Sequence, residues 1–293
     1  MVTFYRRLPK MGYVKPGSLE EALELLEKNP NGRYRVYAGG TDVIPKLKGR
    51  VIQSPEILVD LKGVSDLDHI DFDEQKGLYI GALATVRSVE TSPVIKERYP
   101  ILSQAAGSIA SIQVRNRGTI TGNICNAVPS ADSAPALLCL DARVLLYSKN
   151  GGERTVDITD FFKGPGLTVL QPNEILREIN ISASPENSRS VYIKLSPRSR
   201  MDLAVVGVGV LLTKTNGTFR NVRIGLGAVA PTPIRALKAE AMLEGSEVND
   251  DLIINAARTA SEESRPIDDH RASAEYRKMM VEVLVKRAIH QCL

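Results

Sequence analysis

Tryptophan is absent from this 293-residue sequence, and only five phenylalanines occur. Without aromatics interleaved among basic residues, neither a base-stacking surface nor a nucleic-acid stripe is expected. The net charge of +4 comes from lysines and arginines scattered among acids. Cysteine is scarce as well: Cys125, Cys139 and Cys292 stand apart, with no CxxC pair. Iron–sulfur clusters normally take four thiolates and structural zinc four clustered ligands. His69, His270 and His290 do not lie near the cysteines, so neither centre is expected, nor any metal site. Paired disulfides are not expected either. No apolar run approaches the ~20 residues of a membrane span. The longest, about Leu203 to Leu212, contains two glycines and reads as a buried strand. Met1 to Lys10 carries charge without an apolar stretch, so no secretory signal is read there and a cytoplasmic location is expected. There is no P-loop, no GxGxxG and no GxSxG, and no histidine shares a loop with a nucleophile. A catalytic residue is therefore not identified, and any nucleotide would be held without a Rossmann or Walker fingerprint.

What is present is an ordinary globular composition, 43% hydrophobic and 25% charged, long enough for two domains. Ser18 to Glu21 is a capping box, followed by leucines at helical spacing and a stop near Asn29 to Gly32. A strand over Arg35 to Ala38 runs into Gly39-Gly40, with a helical turn from Val43 to Leu47. Ile57 to Asp60 and Gly77 to Gly81 read as strands, and Thr85 to Glu90 begins a helix. A longer helix covers Pro100 to Ile112. Gly118 to Asn123 reads as loop, and Ala134 to Leu140 as a short buried helix. Ala142 to Tyr147 and Glu174 to Ile181 are strands, with a turn at Gly164 to Gly166. Ser182 to Arg189 is polar, contains proline and reads as a linker. Beyond it, strands over Val191–Leu195, Ala204–Thr213 and Val222–Val229 precede helices over Ile234–Leu243, Asp250–Ser264 and Ala272–Ile289. Asn216-Gly217 suits a hairpin turn. A mixed first part of about 180 residues and a smaller sheet-then-helices part suit an α+β class.

Two glycine-rich segments could carry chemistry. Gly39-Gly40-Thr41 follows a strand, and paired glycines let backbone amides approach a phosphate without a Cβ in the way. A plain strand-to-helix turn would look the same. The second segment, Gln113 to Asn123, combines two glycines with hydroxyl and amide side chains and continues through Asn126 to Asp132. Asp132 could accept from a ribose or an adenine edge, or cap the helix that follows it. Arg115 and Arg117 could face a diphosphate. The surface reading is preferred, because a buried arginine needs full pairing.

At these segments the sequence resembles a known family, the FAD-binding medium subunits of molybdenum hydroxylases, which include the xanthine dehydrogenase and carbon monoxide dehydrogenase types. The resemblance rests on Ala38-Gly-Gly-Thr-Asp-Val43, Ile80-Gly-Ala82, Gln113-Val-Arg-Asn-Arg-Gly-Thr119, Gly122-Asn-Ile124, Pro129 to Asp132 and Ala134-Pro-Ala136. Lys194-Leu195 and Val229 to Arg235 extend it over nearly the whole chain. Gly122 to Ala127, Ser130 to Ser133 and Ala230 to Arg235 look most like bacterial xanthine dehydrogenase subunits. Thr121 departs from the pattern, standing where the family most often has glycine. A β-branched residue restricts φ there, so the loop is expected to sit slightly differently.

The resemblance implies two α/β subdomains of the PCMH/VAO-type FAD-binding fold, about 1–55 and 56–181. A C-terminal α+β domain with a three-stranded sheet, 190–293, would close over the flavin. Tyr37, Ala38, Gly39, Gly40, Thr41, Asp42 and Val43 would line the diphosphate and flavin side. Ile109 and Ala110 would pack the ribityl or adenine side. Thr119, Gly122, Asn123, Asn126 and Asp132 would hold the cofactor by hydrogen bonds and close backbone approach. Leu170 would be an apolar contact, and Lys194 would reach the ring. The implied role is electron transfer in a heterotrimeric xanthine or purine dehydrogenase. Electrons would come from the small [2Fe–2S] subunit, fed by a large molybdopterin subunit, and pass to NAD+ or another acceptor. Related readings are a hydroxylase acting on an aldehyde, nicotinate, CO or another aromatic heterocycle, and a flavin-free assembly subunit.

Overall fold

The computed structural model describes residues 7–28, 33–198 and 201–293. The expected helix stop at Asn29 to Gly32 lies outside them, as do the first six residues of the Met1 to Lys10 start. The capping box forms as read. Ser18 Oγ accepts from the Glu21 amide at 3.1 Å, and Glu21 accepts from the Gly17 amide at 2.7 Å. The helix Leu19–Glu27 that follows buries Ala22, Leu23 and Leu26. It packs beside a parallel sheet in which Ile57–Asp60 lies between Gly12–Val14 and Tyr34–Tyr37.

The second sheet is antiparallel, in the order Ile70–Asp73, Gly77–Gly81, Ile175–Ile181, Arg143–Ser148, Gly152–Asp157. Its outer strands and Gly12–Val14 have no counterpart in the expected elements. They are short or polar, as edge strands are. Helices Val86–Thr91, Pro93–Arg98, Pro100–Ser108, Ile120–Cys125 and Ser133–Cys139 complete a shared core with this sheet.

Several expected boundaries shift by a few residues, and three differences change an element. The long helix stops at Ser108, because Ala110 adopts φ +42° and breaks the ladder before a separate turn, Ile112–Arg115. Gly118 to Asn123 is not all loop: Ile120–Cys125 is helical, capped by Thr119 Oγ1 accepting from the Gly122 amide at 3.0 Å. The last sheet has four strands, since Ile234–Arg235 pairs with Gly225 and Leu226 and the helix begins only at Leu237.

That sheet, Ser188–Leu195, Val206–Thr215, Thr218–Gly227 and Ile234–Arg235, is covered on both faces. Strand alternation explains how. Val206, Val208 and Val210 pack against helices Leu237–Leu243, Asp250–Glu263 and Ala274–Cys292. Leu211 and Tyr192 join the core of the first part instead. On that face Gly209 and Gly225 admit the helix Ser133–Cys139. A Cβ on Gly225 would overlap the Pro135 carbonyl oxygen, and one on Gly209 would lie 3.1 Å from Cys139 Sγ. Arg235 adds a polar tie, donating to Asp141 at 2.6 Å and to Glu240 Oε1 at 2.9 Å.

Candidate functional site

The two glycine-rich segments meet. A Cβ on Gly39 would overlap the Arg117 carbonyl and lie 2.7 Å from Gly118 Cα, so only glycine permits this approach. Gly40 takes φ +75°, with the Tyr37 ring where its Cβ would be. Among the described residues, the amides of Gly39, Gly40, Thr41, Asp42 and Val43 donate to no protein acceptor. Five consecutive free amides leading into the helix Val43–Gly49 form a concentrated donor set for an anion.

Polar links tie the segments further. Lys46, one turn into that helix, donates to Asn126 Oδ1 at the end of the helix Ile120–Cys125. Burial raises the pKa of the Asp42 carboxylate, against the opposing pull of Lys46 and Asn126. Asn123 Oδ1 accepts from Ser133 Oγ at 2.6 Å. Thr121 is buried, and its hydroxyl donates to the Ala82 carbonyl at 2.6 Å. Thr121 lies within the helix Ile120–Cys125.

Asp132 does not cap the helix behind it. Its carboxylate is 7% exposed and accepts from Tyr192 Oη and Lys194 Nζ, both at 2.8 Å. Burial raises its pKa, and Lys194 and Tyr192 act against that. The Tyr192 phenol is pushed well above its ordinary value by burial and by the Asp132 charge. Lys194 Nζ also donates to the Ser108 carbonyl at 2.9 Å. Ser108, Tyr192 and Lys194 border a cavity of about 580 Å³ whose walls also include Arg87, Gln104 and Ser196. Tyr192 was missed in the sequence, although strand periodicity sets it on the same face as Lys194.

Ile109 and Ala110 follow Ser108 directly, and Leu170 packs against the same core as Ile109. Among the expected residues, close contacts join Gly40 to Tyr37, Gly39 to Gly118 next to Thr119, and Lys194 to Asp132 and to Ser108 next to Ile109. Arg117 is exposed, as expected. Arg115 is not: its side chain is 13% exposed, with Nε on Glu90 and Nη1 on two carbonyls, which corrects the surface reading. Two further cations went unread. Lys62 Nζ donates to the Ala38 carbonyl at 3.0 Å and to Asp60 at 2.7 Å, and lies 3.8 Å from the Tyr37 ring centroid. Lys46 is the other. No local pattern marks either, because Asn126 and Ala38, which bring them to the site, lie 80 and 24 residues away along the chain.

The donor set suits a dinucleotide: free amides and a positive-φ glycine at one end, a buried lysine–carboxylate pair at the other. Comparison with known proteins agrees. Residues 9–183 match the family described as the FAD binding domain in molybdopterin dehydrogenase, and residues 191–292 match the CO dehydrogenase flavoprotein C-terminal domain. The glyceraldehyde dehydrogenase medium chain of Sulfolobus acidocaldarius is 34% identical over 97% of this chain and 98% of its own. The xanthine dehydrogenase FAD-binding subunit of Escherichia coli O157:H7 is 32% identical over 96% of this chain and 95% of its own. A carbon monoxide dehydrogenase chain from Hydrogenophaga pseudoflava superposes with a TM-score of 0.93 at 35% identity, covering 98% of both chains. The chain belongs to the family of FAD-binding medium subunits of molybdenum hydroxylases.

Proposed function

We propose that this chain is the electron-transfer subunit of a xanthine- or purine-oxidising molybdenum hydroxylase. It receives electrons from the [2Fe–2S] clusters of a small partner and delivers them to NAD+ or another acceptor. The observation that carries the electron-transfer reading is the contact between the two glycine segments, with five free amides at their junction. When bound, FAD supplies the conversion between one-electron and two-electron transfer. The protein's own contribution is to hold and orient it. Gly39 to Val43 offer amides to the diphosphate, the bond from the Gly122 amide to Thr119 Oγ1 starts the helix that carries Asn123, and Asn123 keeps its amide nitrogen for the ligand. Ile109, Ala110 and Leu170 supply apolar wall. Asp132 and Lys194 place a neutralised pair at the junction with the C-terminal sheet. We assign residues 1–181 to the FAD-binding part and 190–293 to the part that closes over it.

A second substrate reading has its own support. The glyceraldehyde dehydrogenase relative is as similar in sequence as the xanthine dehydrogenase one, which favours an aldehyde as the alternative substrate of the complex. Affinity capture from the host, followed by an absorption spectrum and a panel of purines and aldehydes, separates the two. The expected outcome is flavin and iron–sulfur absorbance with two partner chains, and turnover of a purine. Aldehyde turnover alone would replace the purine reading, and xanthine oxidation by the isolated chain would overturn the division of labour.

The loop assignment has its own test. A Thr119→Ala, Asn123→Ala double variant is expected to lose FAD on gel filtration. Unchanged flavin occupancy would show that these residues do not hold it.

A further inference from the structure

The helix Pro100–Ser108 ends with carbonyls that have no partner within the helix, as every helix does. Here the last helical carbonyl and the two that follow the helix are taken by cations. Lys194 Nζ holds Ser108 O at 2.9 Å, and Arg115 Nη1 holds Ile109 O at 3.0 Å and Ala110 O at 2.9 Å. Cations are favourable at this end of a helix dipole. The turn they hold is strained, because Ala110 sits at φ +42°, a region that L-residues occupy at a cost.

Arg115 is itself aimed. Its Nε donates to Glu90 Oε2 at 2.9 Å, and Arg87 Nη1 approaches the same oxygen at 3.0 Å. The guanidinium thus spends one edge on a carboxylate and another on two successive carbonyls. A planar fork with several fixed donors can do this, whereas a lysine ammonium cannot reproduce the geometry.

We propose that Arg115 is a positioning residue for the cofactor: it holds the Ile109–Ala110 turn in its left-handed form and so fixes both the apolar wall and the carbonyl on which Lys194 rests. The inference depends on the assignment of Ile109, Ala110 and Lys194 to the flavin site made above. Arg115 touches no expected cofactor group directly and acts through the turn.

The test is FAD affinity of the 293-residue chain, measured by flavin fluorescence quenching, alongside thermal melting of the cofactor-free form. Arg115→Ala is expected to weaken FAD binding about tenfold, the scale of one lost charged hydrogen-bond set. Arg115→Lys should recover little of this. Ala110→Gly added to Arg115→Ala should recover most of it, because glycine takes a positive φ without strain. General destabilisation would not predict that rescue.

Glu90→Gln, which leaves Arg115 in place but poorly aimed, provides a milder variant if Arg115→Ala does not fold. It is expected to weaken binding about threefold and to be rescued by Ala110→Gly in the same way. Wild-type affinity in folded Arg115→Ala or Glu90→Gln protein would overturn the inference, as would a loss that Ala110→Gly leaves unchanged. A wild-type chain that binds no FAD would instead overturn the functional reading on which it stands.

Discussion

Thr121 shows what one side chain can settle. Its hydroxyl is spent inside the protein on the Ala82 carbonyl. A Thr121→Val variant keeps the shape and removes the donor. It is expected to cost about 1–3 kcal/mol, the range for an orphaned buried acceptor, measured by urea unfolding of the cofactor-free chain. Asp269 provides a pH-dependent case. Burial would raise its pKa, but the Arg271 amide and the charges of Arg277 and Arg271 outweigh that and hold it at about 2, below its ordinary 3.8. A depressed carboxylate contributes stability above the unfolded value and loses it as pH falls through the folded one. Stability should therefore decline between about pH 4 and pH 2, where the unfolded chain binds the proton before the folded carboxylate does. Asp269→Asn should flatten that part of an acid titration followed by circular dichroism. Arg277, which Asp269 holds, also donates to the Val205 and Ala228 carbonyls at 2.7 and 3.0 Å, so the pair secures two loop ends of the C-terminal sheet.

Among the elements, the two glycine segments differ in how much their contact tolerates. A Cβ at Gly39 overlaps backbone that cannot give way, whereas one at Gly118 would lie 3.1 Å from the Thr41 hydroxyl and 3.2 Å from the Val114 carbonyl. Gly39→Ala is accordingly expected to abolish FAD retention on gel filtration, and Gly118→Ala to leave a measurable fraction bound. Equal occupancy in the two variants would contradict this ordering. The helix Ile120–Cys125 is the element most hidden in the sequence. Threonine, glycine and asparagine are poor helix formers, and they dominate the segment. The legible signal was Thr119 at the cap with Ile120 and Ile124 four residues apart, both buried. Burial of that pair outweighs propensity here, as tertiary packing commonly does.

Across the whole molecule, the C-terminal sheet is shared between two cores. Valines on one face bury against its own helices, and glycines on the other admit the helix Ser133–Cys139 of the first part. The two parts cannot separate without exposing Leu211 and Tyr192, which are 4% and 8% exposed. Gly225→Ala should force that helix away from the sheet and cost about 1–3 kcal/mol, as overpacking does. It should also loosen FAD, since Asp132 immediately precedes the displaced helix. Thermal melting and FAD affinity measured on one preparation check both effects. A drop in melting temperature with affinity unchanged would show that the site does not depend on this packing.

The sequence by itself determined the α+β class, most elements and the two glycine segments, because periodicity, caps and paired glycines are local signals; Lys194 entered only through the family resemblance. Helix ends at Ser108 and Leu237, the fourth strand, and the helix Ile120–Cys125 depended on partners distant in the chain. So did the role of Arg115. Nothing adjacent to it shows that Glu90 and the Ile109 and Ala110 carbonyls will surround it, and without them a buried guanidinium is unfavourable. The tertiary structure decided which charges are spent internally and which donors stay open. Long-range contacts alone bring Gly39 against Arg117, and Asp132 against Lys194.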